Sequence, residues 1–311
     1  VFEHLSQFAG YGFCKAHAAT YAKLSYRACY LKAHFPVEYM TAMINNFGGY
    51  YRSFVYVGEA RRLGAKLTPP DMDKPSRLCT IDDNNVLRIG LAFVKNLSQK
   101  TIEKIIRQRS EAPFTSLADF LIRVRPSVNE AENLIRIGAF DFLGKTRPEL
   151  LWYLKLYGKK LVKKNPDTTL LSDIPPQDAA FAVNLPDYNI DEKLSAEMEI
   201  LEIAVTCHPT ERIIAGNGHV KSIELSSLIG KNVKIIGQVI NRRRIKTKNG
   251  KSMVFLSMED AFDYFEVTLF PEMYRRFGQR IFKKPFLEVS GKVENRDGLL
   301  TIVADGLEVC V

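Results

Sequence analysis

VKIIGQVI (Val233–Ile240), MVFLSM (Met253–Met258), FEVTLF (Phe265–Phe270), FLEVSGKV (Phe286–Val293) and LLTIV (Leu299–Val303) are five β-rich runs. They fill the last quarter of the 311-residue chain, where the apolar period shortens. Asn249-Gly250 and Asp297-Gly298 separate two pairs of runs, and both dipeptides are hairpin signals because each favours the positive φ of a tight turn. Between the third and fourth runs Pro271 to Phe277 reads as a helix. Five strands with one helix at that place predict a five-stranded OB-fold β-barrel.

Upstream the period is helical. Ala18, Ala22, Ser25 and Cys29 form one stripe and Tyr21, Leu24, Ala28 and Leu31 another, predicting a packed helix over His17–Lys32. Val37–Ile44 and Phe54–Leu63 follow, separated by Pro36 and Gly48-Gly49. Leu67–Asp71 holds a short strand-like run and a Pro-Pro turn, and Asp82-Asp83-Asn84-Asn85 reads as a polar turn. From Val86 to Leu143 two helix-turn-helix-like units are expected. Ser98 caps Gln99–Arg109, Leu117–Arg123 is helical, and Asn129 caps Glu130–Arg136, which closes at Gly138. Lys159–Asp191 is polar and aperiodic, a linker by composition. The expected fold is therefore α+β and multidomain, with a helical segment over 1–75, a tandem hairpin region over 76–150, a linker and connecting segment over 151–230, and the barrel over 231–311.

Composition is that of a globular chain, and 44 Lys plus Arg against 35 Asp plus Glu leave a charge of +9, which favours a polyanionic partner. Five scattered cysteines without a C-x-x-C pair argue against a disulfide framework or a cysteine zinc site, and for a reducing, cytoplasmic setting. No apolar run is long enough for a membrane span. Val1 is not an initiator methionine and no leader pattern follows it, so a fragment of a longer protein is expected.

Three constellations could carry chemistry. Lys15 and His17, beside Tyr11 and Phe13, stand where a helix begins, a place that suits a phosphate or simply a solvated helix end. Lys95, Lys100, Lys104 and Arg107 surround the first hairpin turn, where backbone N–H groups could face a DNA phosphate. Asn96 and Ser98 occupy the usual glycine positions of such a turn. Asn241–Lys251 reads as a basic loop with Arg242, Arg243, Arg244, Lys246, Lys248 and Lys251. In an OB-fold this loop borders the oligonucleotide face, and Phe255 and Phe270 could stack bases there or lie in the core. Two signatures are missing: no phosphate-binding G-x-x-x-x-G-K-[ST] loop, and no carboxylate pair suited to two Mg²⁺ ions.

Phe8-Ala9-Gly10-Tyr11-Gly12-Phe13-Cys14-Lys15-Ala16-His17-Ala18 resembles the FAGYGFNKSHA segment of the bacterial C-family DNA polymerases, with Cys14 in place of asparagine. Leu31-Lys32-Ala33-His34-Phe35-Pro36, Ile137-Gly138-Ala139-Phe140-Asp141, Thr206-Cys207-His208-Pro209 and the stretch from Thr247 to Gly298 continue the likeness in family order. Asp263-Tyr264 replaces a usual Thr-Gly. The run 45–51 is nearer to second copies of the subunit, including error-prone paralogues, and both kinds of parent stay open. The resemblance implies the end of the polymerase fingers, a tandem helix-hairpin-helix domain and an OB barrel. It implies Tyr11, Phe13, Lys15 and His17 near the incoming dNTP, and primer-template duplex and single-stranded template as partners. Mg²⁺ would be held by palm carboxylates outside this chain, so the fragment alone would lack catalysis. Gln177 and Phe181 keep the ends of the family's sliding-clamp pentapeptide, which adds the clamp and other replisome subunits as partners. Two alternatives remain: a stand-alone DNA-binding module, and an RNA-binding OB-fold protein.

Overall fold

The computed structural model describes residues 14–47, 49–163, 184–214, 218–247, 249–283, 285–296 and 298–310. Helix α1 (Lys15–His34) buries none of its residues. It therefore differs from the packed helix its two stripes predict: Tyr21, Leu24, Tyr26 and Tyr30 all remain exposed. Small and aromatic residues at helical spacing establish the helix but do not supply a covering partner.

Pro36 starts α2 (Pro36–Asn45), whose buried Val37, Met40, Thr41 and Ile44 lie along one face. Asn45 at its end grips the backbone of Cys79 with both side-chain atoms, accepting at 2.7 Å and donating at 2.9 Å. After α3 (Ser53–Arg62) comes a small sheet of β1 (Lys66–Thr68), β2 (Thr80–Ile81) and β3 (Val86–Arg88), with β1 parallel and β2 antiparallel to β3. The Asp82–Asn85 turn joins β2 to β3, its Asp82 carboxylate accepting from the N–H groups of Asn84 and Val86. Helices α4 (Gln99–Glu111), α5 (Leu117–Val124) and α6 (Val128–Arg136) follow.

Two more packed helices overlap the expected linker and connecting segment over 151–230: α7 (Arg147–Leu161), with Tyr153 fully buried, and α8 (Ile190–Ile200). One apolar core runs from Val37 to Val205, so the helical part packs continuously across positions 75 and 150. A short helix α9 (Pro209–Ile214) then leads toward the barrel.

The barrel closes in the order β4–β5–β6–β8–β7, with β7 returning to β4. Its strands are β4 (Asn232–Lys246), β5 (Ser252–Glu259), β6 (Tyr264–Leu269), β7 (Phe286–Arg296) and β8 (Leu299–Val309). Helix α10 (Pro271–Lys283) falls between β6 and β7. Val254, Leu256 and Met258 alternate with Phe265, Val267 and Leu269 into a second core, which Phe277 and Ile281 of α10 plug.

The Gly138 landmark has a packing reason. Gly138 has φ +84°, and a Cβ there would stand 2.1 Å from Nη2 of Arg147. That buried guanidinium holds Asp141 at 2.9 Å and donates to the Arg136 carbonyl at 3.0 Å, tying the end of α6 to the start of α7. Gly138→Ala should cost more than about 1 kcal/mol, because it adds backbone strain to displacement of Arg147. Urea unfolding of both proteins checks this.

Candidate nucleic-acid interface

The two hairpins repeat one backbone design. In the first, Leu91–Phe93 forms a 3₁₀ turn, Asn96 adopts φ +59°, and the Ser98 hydroxyl caps α4 by accepting from Thr101 N–H. In the second, Arg125 adopts φ +54° at the end of α5, and Ser127 caps α6. Asn96-Leu97-Ser98 thus matches Arg125-Pro126-Ser127 in backbone role. Asparagine tolerates the left-handed region, so the turn forms without glycine. The cap of α6 is Ser127 rather than Asn129: its hydroxyl accepts from Glu130 N–H, and the Glu130 carboxylate accepts from Ser127 N–H at 2.7 Å.

Glu130 does more. Its other oxygen accepts from Ser98 N–H at 2.9 Å, so one buried carboxylate joins the starts of both hairpin helices. Burial alone would raise its pKa, but these N–H groups and the hydroxyls of Thr101 and Ser127 hold it below the usual carboxylate range. The amides of Ser98 and Ser127 are thus engaged from within.

Side chains remain for the outside. Lys100, Lys104 and Arg107 recur along α4 at four- and three-residue spacing, on one side of the helix. Lys104 has its pKa lowered by partial burial and then by Arg125, Arg107 and Lys100, which places Arg125 in the same positive cluster. The sequence pattern omits Arg125; superposing the two turns would have found it. Lys95 leaves the cluster and pairs with Glu202 at 2.8 Å.

The Asn241–Lys251 stretch is mostly strand rather than loop. β4 and β5 form a ribbon up to Lys246 and Ser252, beyond which Thr247 N–H donates to the Lys251 carbonyl at 2.8 Å. Alternation therefore divides the charges. Arg242 lies opposite the core residue Leu256, and its Nε donates to the Ile281 carbonyl at 2.8 Å at the end of α10. Arg243 lies opposite Phe255, whose own neighbour on β6 is Thr268. Phe255 is half-buried and outside the core cluster, on the outer face beside Arg243. Phe270 is partly exposed just past β6. Arg244, Lys246 and Lys251 are exposed. Lys15 and His17 sit exposed in the first turn of α1, with the His17 ring 4.5 Å from that of Tyr21. Tyr11, Phe13, Gln177, Phe181 and Lys248 lie outside the described residues.

A buried ionic seat joins helices and barrel. Arg62 of α3 bonds Glu259 of β5 at 3.1 Å and Glu59 at 3.2 Å, and its guanidinium lies 4.1 Å from the Tyr264 ring centre. Tyr264 donates to Glu59 at 3.2 Å, and Lys32 pairs with Glu59 at 2.9 Å. Tyr264, which departs from the usual residue, is thus part of the seat. Gly58 allows the approach: a Cβ there would stand 3.2 Å from Oε2 of Glu259. Arg61 donates to the carbonyls of Ala204 and Val205, both at 2.9 Å. His208, buried nearby, accepts at Nδ1 from Thr210 N–H at 3.3 Å. Cys207-His208 therefore belongs to this junction, and no cluster of three metal-ligating side chains occurs among the described residues. Nor is any described helix long and apolar enough to cross a membrane.

The helix-hairpin-helix motif family matches residues 64–150, and the OB-fold nucleic acid binding domain family matches residues 233–310. Nearly the whole chain also aligns with larger proteins. An error-prone DNA polymerase of Symbiobacterium thermophilum is 28% identical over 99% of this chain and 33% of its own length. DNA polymerase III α subunits of Saccharopolyspora erythraea and Haemophilus influenzae are 30% and 29% identical, each over 96% of this chain and 27% of their own length. By sequence, the chain is similar to bacterial DNA polymerase III α subunits. It spans about a third or less of the length of these polymerases.

The seat carries a pH signature. Burial raises the Glu259 carboxyl from 4.5 to about 7, against the opposing pull of Arg62. Its proton is then held more tightly folded than unfolded, so its contribution is fully present below about pH 4.5 and lost as pH rises to about 7. His208 works in the opposite sense: burial, then Arg61 and Arg62, lower it from 6.5 to about 3, so its neutral form loses stability as pH falls below 6.5. The two are separated by comparing wild type with Glu259→Gln. Thermal melts from pH 5 to 8 should show the variant gaining stability relative to wild type as pH rises; a constant difference would refute the burial-dominated carboxyl.

Proposed function

We propose that this chain is a DNA-holding portion of a DNA polymerase III α-type enzyme, contributing template and duplex contacts to template-directed DNA synthesis. The observation that carries the reading is the near-complete alignment with polymerase α subunits, joined to a hairpin region and a barrel that each present basic side chains. Lys100, Lys104 and Arg107 on α4, and Arg243, Arg244, Lys246 and Lys251 on the ribbon, form no ion pair among the described residues. Such surfaces neutralise phosphates and read no bases, which suits an enzyme that must hold any sequence. Phe255 beside Arg243 adds an aromatic platform that every base can use.

In the intact polymerase, nucleotidyl transfer would use Mg²⁺ held by carboxylates outside this chain. Lys15 and His17, with Tyr11 and Phe13, would face the phosphates of the incoming dNTP. The hairpins would hold duplex product through α4 side chains, since Glu130 occupies two of the turn amides. Gln177 and Phe181 would offer the sliding clamp a reduced version of its docking peptide. These roles place the protein with the replisome in the cytoplasm.

Fluorescence anisotropy with labelled primer-template, single-stranded DNA and tRNA tests the assignment. Both DNA forms should bind, more weakly as salt rises, with tRNA no better. Replacing Arg243, Arg244 and Lys246 together by alanine should weaken single-strand binding roughly tenfold and reduce the salt slope by about 2, near 0.7 per phosphate contact. Absence of DNA binding at low salt would refute the reading, and a clear preference for tRNA would transfer the barrel to RNA.

A further inference from the structure

The helical body and the barrel enclose a cleft of about 630 Å³, within the size range of small-ligand sites. The hairpin turn supplies Lys95, α3 supplies Arg52 at its cap and Phe54 in its first turn, and the barrel supplies Arg242 and Phe282. Lys95 is occupied by Glu202, the acidic residue of the lining. Arg242 is fixed: its Nε is held by the Ile281 carbonyl, and its guanidinium lies 5.8 Å from the Phe282 ring centre. Arg242 and Arg52 both line the cleft. Arg52 is exposed and forms no ion pair among the described residues, yet stands close enough to Arg242 to disfavour its charge.

Lys95, Arg52 and Arg242 face one carboxylate, Glu202, whose charge is shared between Lys95 and Arg52, so the lining keeps an excess of positive charge that an acceptor-rich anion relieves. Phe54 and the exposed Phe282 add faces on which a planar ring can stack. We propose that this cleft binds one nucleotide unit, its phosphate between Arg52 and Arg242 and its base against Phe282 or Phe54. The proposal rests on the DNA-holding reading and goes beyond it by locating a single-nucleotide site outside the barrel's ribbon face. The nucleotide could belong to a DNA strand or be free; the chemistry is shared.

The test uses the full chain with labelled oligo(dT) and, separately, dTMP. Arg52 and Phe282 are exposed, so Arg52→Ala and Phe282→Ala should leave the thermal melt unchanged. Arg52→Ala should weaken oligo(dT) about fivefold and lower the salt slope by about 0.7, and Phe282→Ala should weaken it roughly tenfold at constant slope. Displacement of oligo(dT) by dTMP, lost in the same variants, assigns a free nucleotide. Photocrosslinking of an iodouracil-containing oligonucleotide to Phe282 without dTMP competition assigns the strand. Wild-type affinity in both variants, while the ribbon variant loses binding, overturns the cleft and leaves the DNA-holding reading standing. No binding of either ligand by the wild-type chain overturns both.

Discussion

Arg62 sets the arrangement of everything else. It leaves α3 between two carboxylates, one from its own helix and one from the barrel wall, with an aromatic ring from the barrel over its plane. A buried cation with one partner would be costly; shared between Glu59 and Glu259 and covered by Tyr264 it becomes a positional lock. Because the barrel is seated on α3 in this way, Lys95 of the hairpin turn and Arg242 of β4 come to line one cleft, although 146 residues separate them. Neither the hairpin pair nor the barrel alone would create that surface.

The barrel was legible because alternation is a local signal. Val254, Leu256 and Met258 announce their strand without knowledge of any partner, and the five runs fall within or at the ends of the observed strands. The strands extend beyond the apolar runs where charge takes over. Arg243 to Lys246 continue β4 because Val254 and its neighbours on β5 pair with them, which composition does not disclose. The same blindness made α7 look like a connection: its last turn, Lys159 and Lys160, is basic, and its buried Tyr153 and Leu154 belong to a core shared with α5 and α6. On α1 the error ran the other way, since periodicity reports a stripe and not what covers it.

The basic residues were legible in the sequence, and their grouping on the surface was not. Lys95 was grouped with Lys100 by proximity in sequence, yet a turn with a left-handed Asn96 sends it to Glu202. Arg125 was invisible because it lies outside any basic run, and only the equivalence of the two turns reveals it. Glu130 was read as an ordinary first-turn residue of a helix. Its second bond, to Ser98 N–H 32 positions earlier, changes how the motif must work.

A helix-hairpin-helix that points turn amides at phosphate gains neutral, short-range hydrogen bonds that depend on the turn's shape. Here Glu130 takes two of those amides, so under the proposed DNA-holding role the outward contact would fall to lysine and arginine side chains on α4. Flexible cations tolerate variation in the phosphate path better than fixed amides do, and they lose more affinity with salt. Their crowding also has a cost in the free chain, since after partial burial Arg125, Arg107 and Lys100 all act to depress Lys104. A polyanion removes that cost on binding. The internal carboxylate thus fixes the geometry of the two hairpins, while the repelling cations outside form the surface that the proposed role would set against a phosphate backbone.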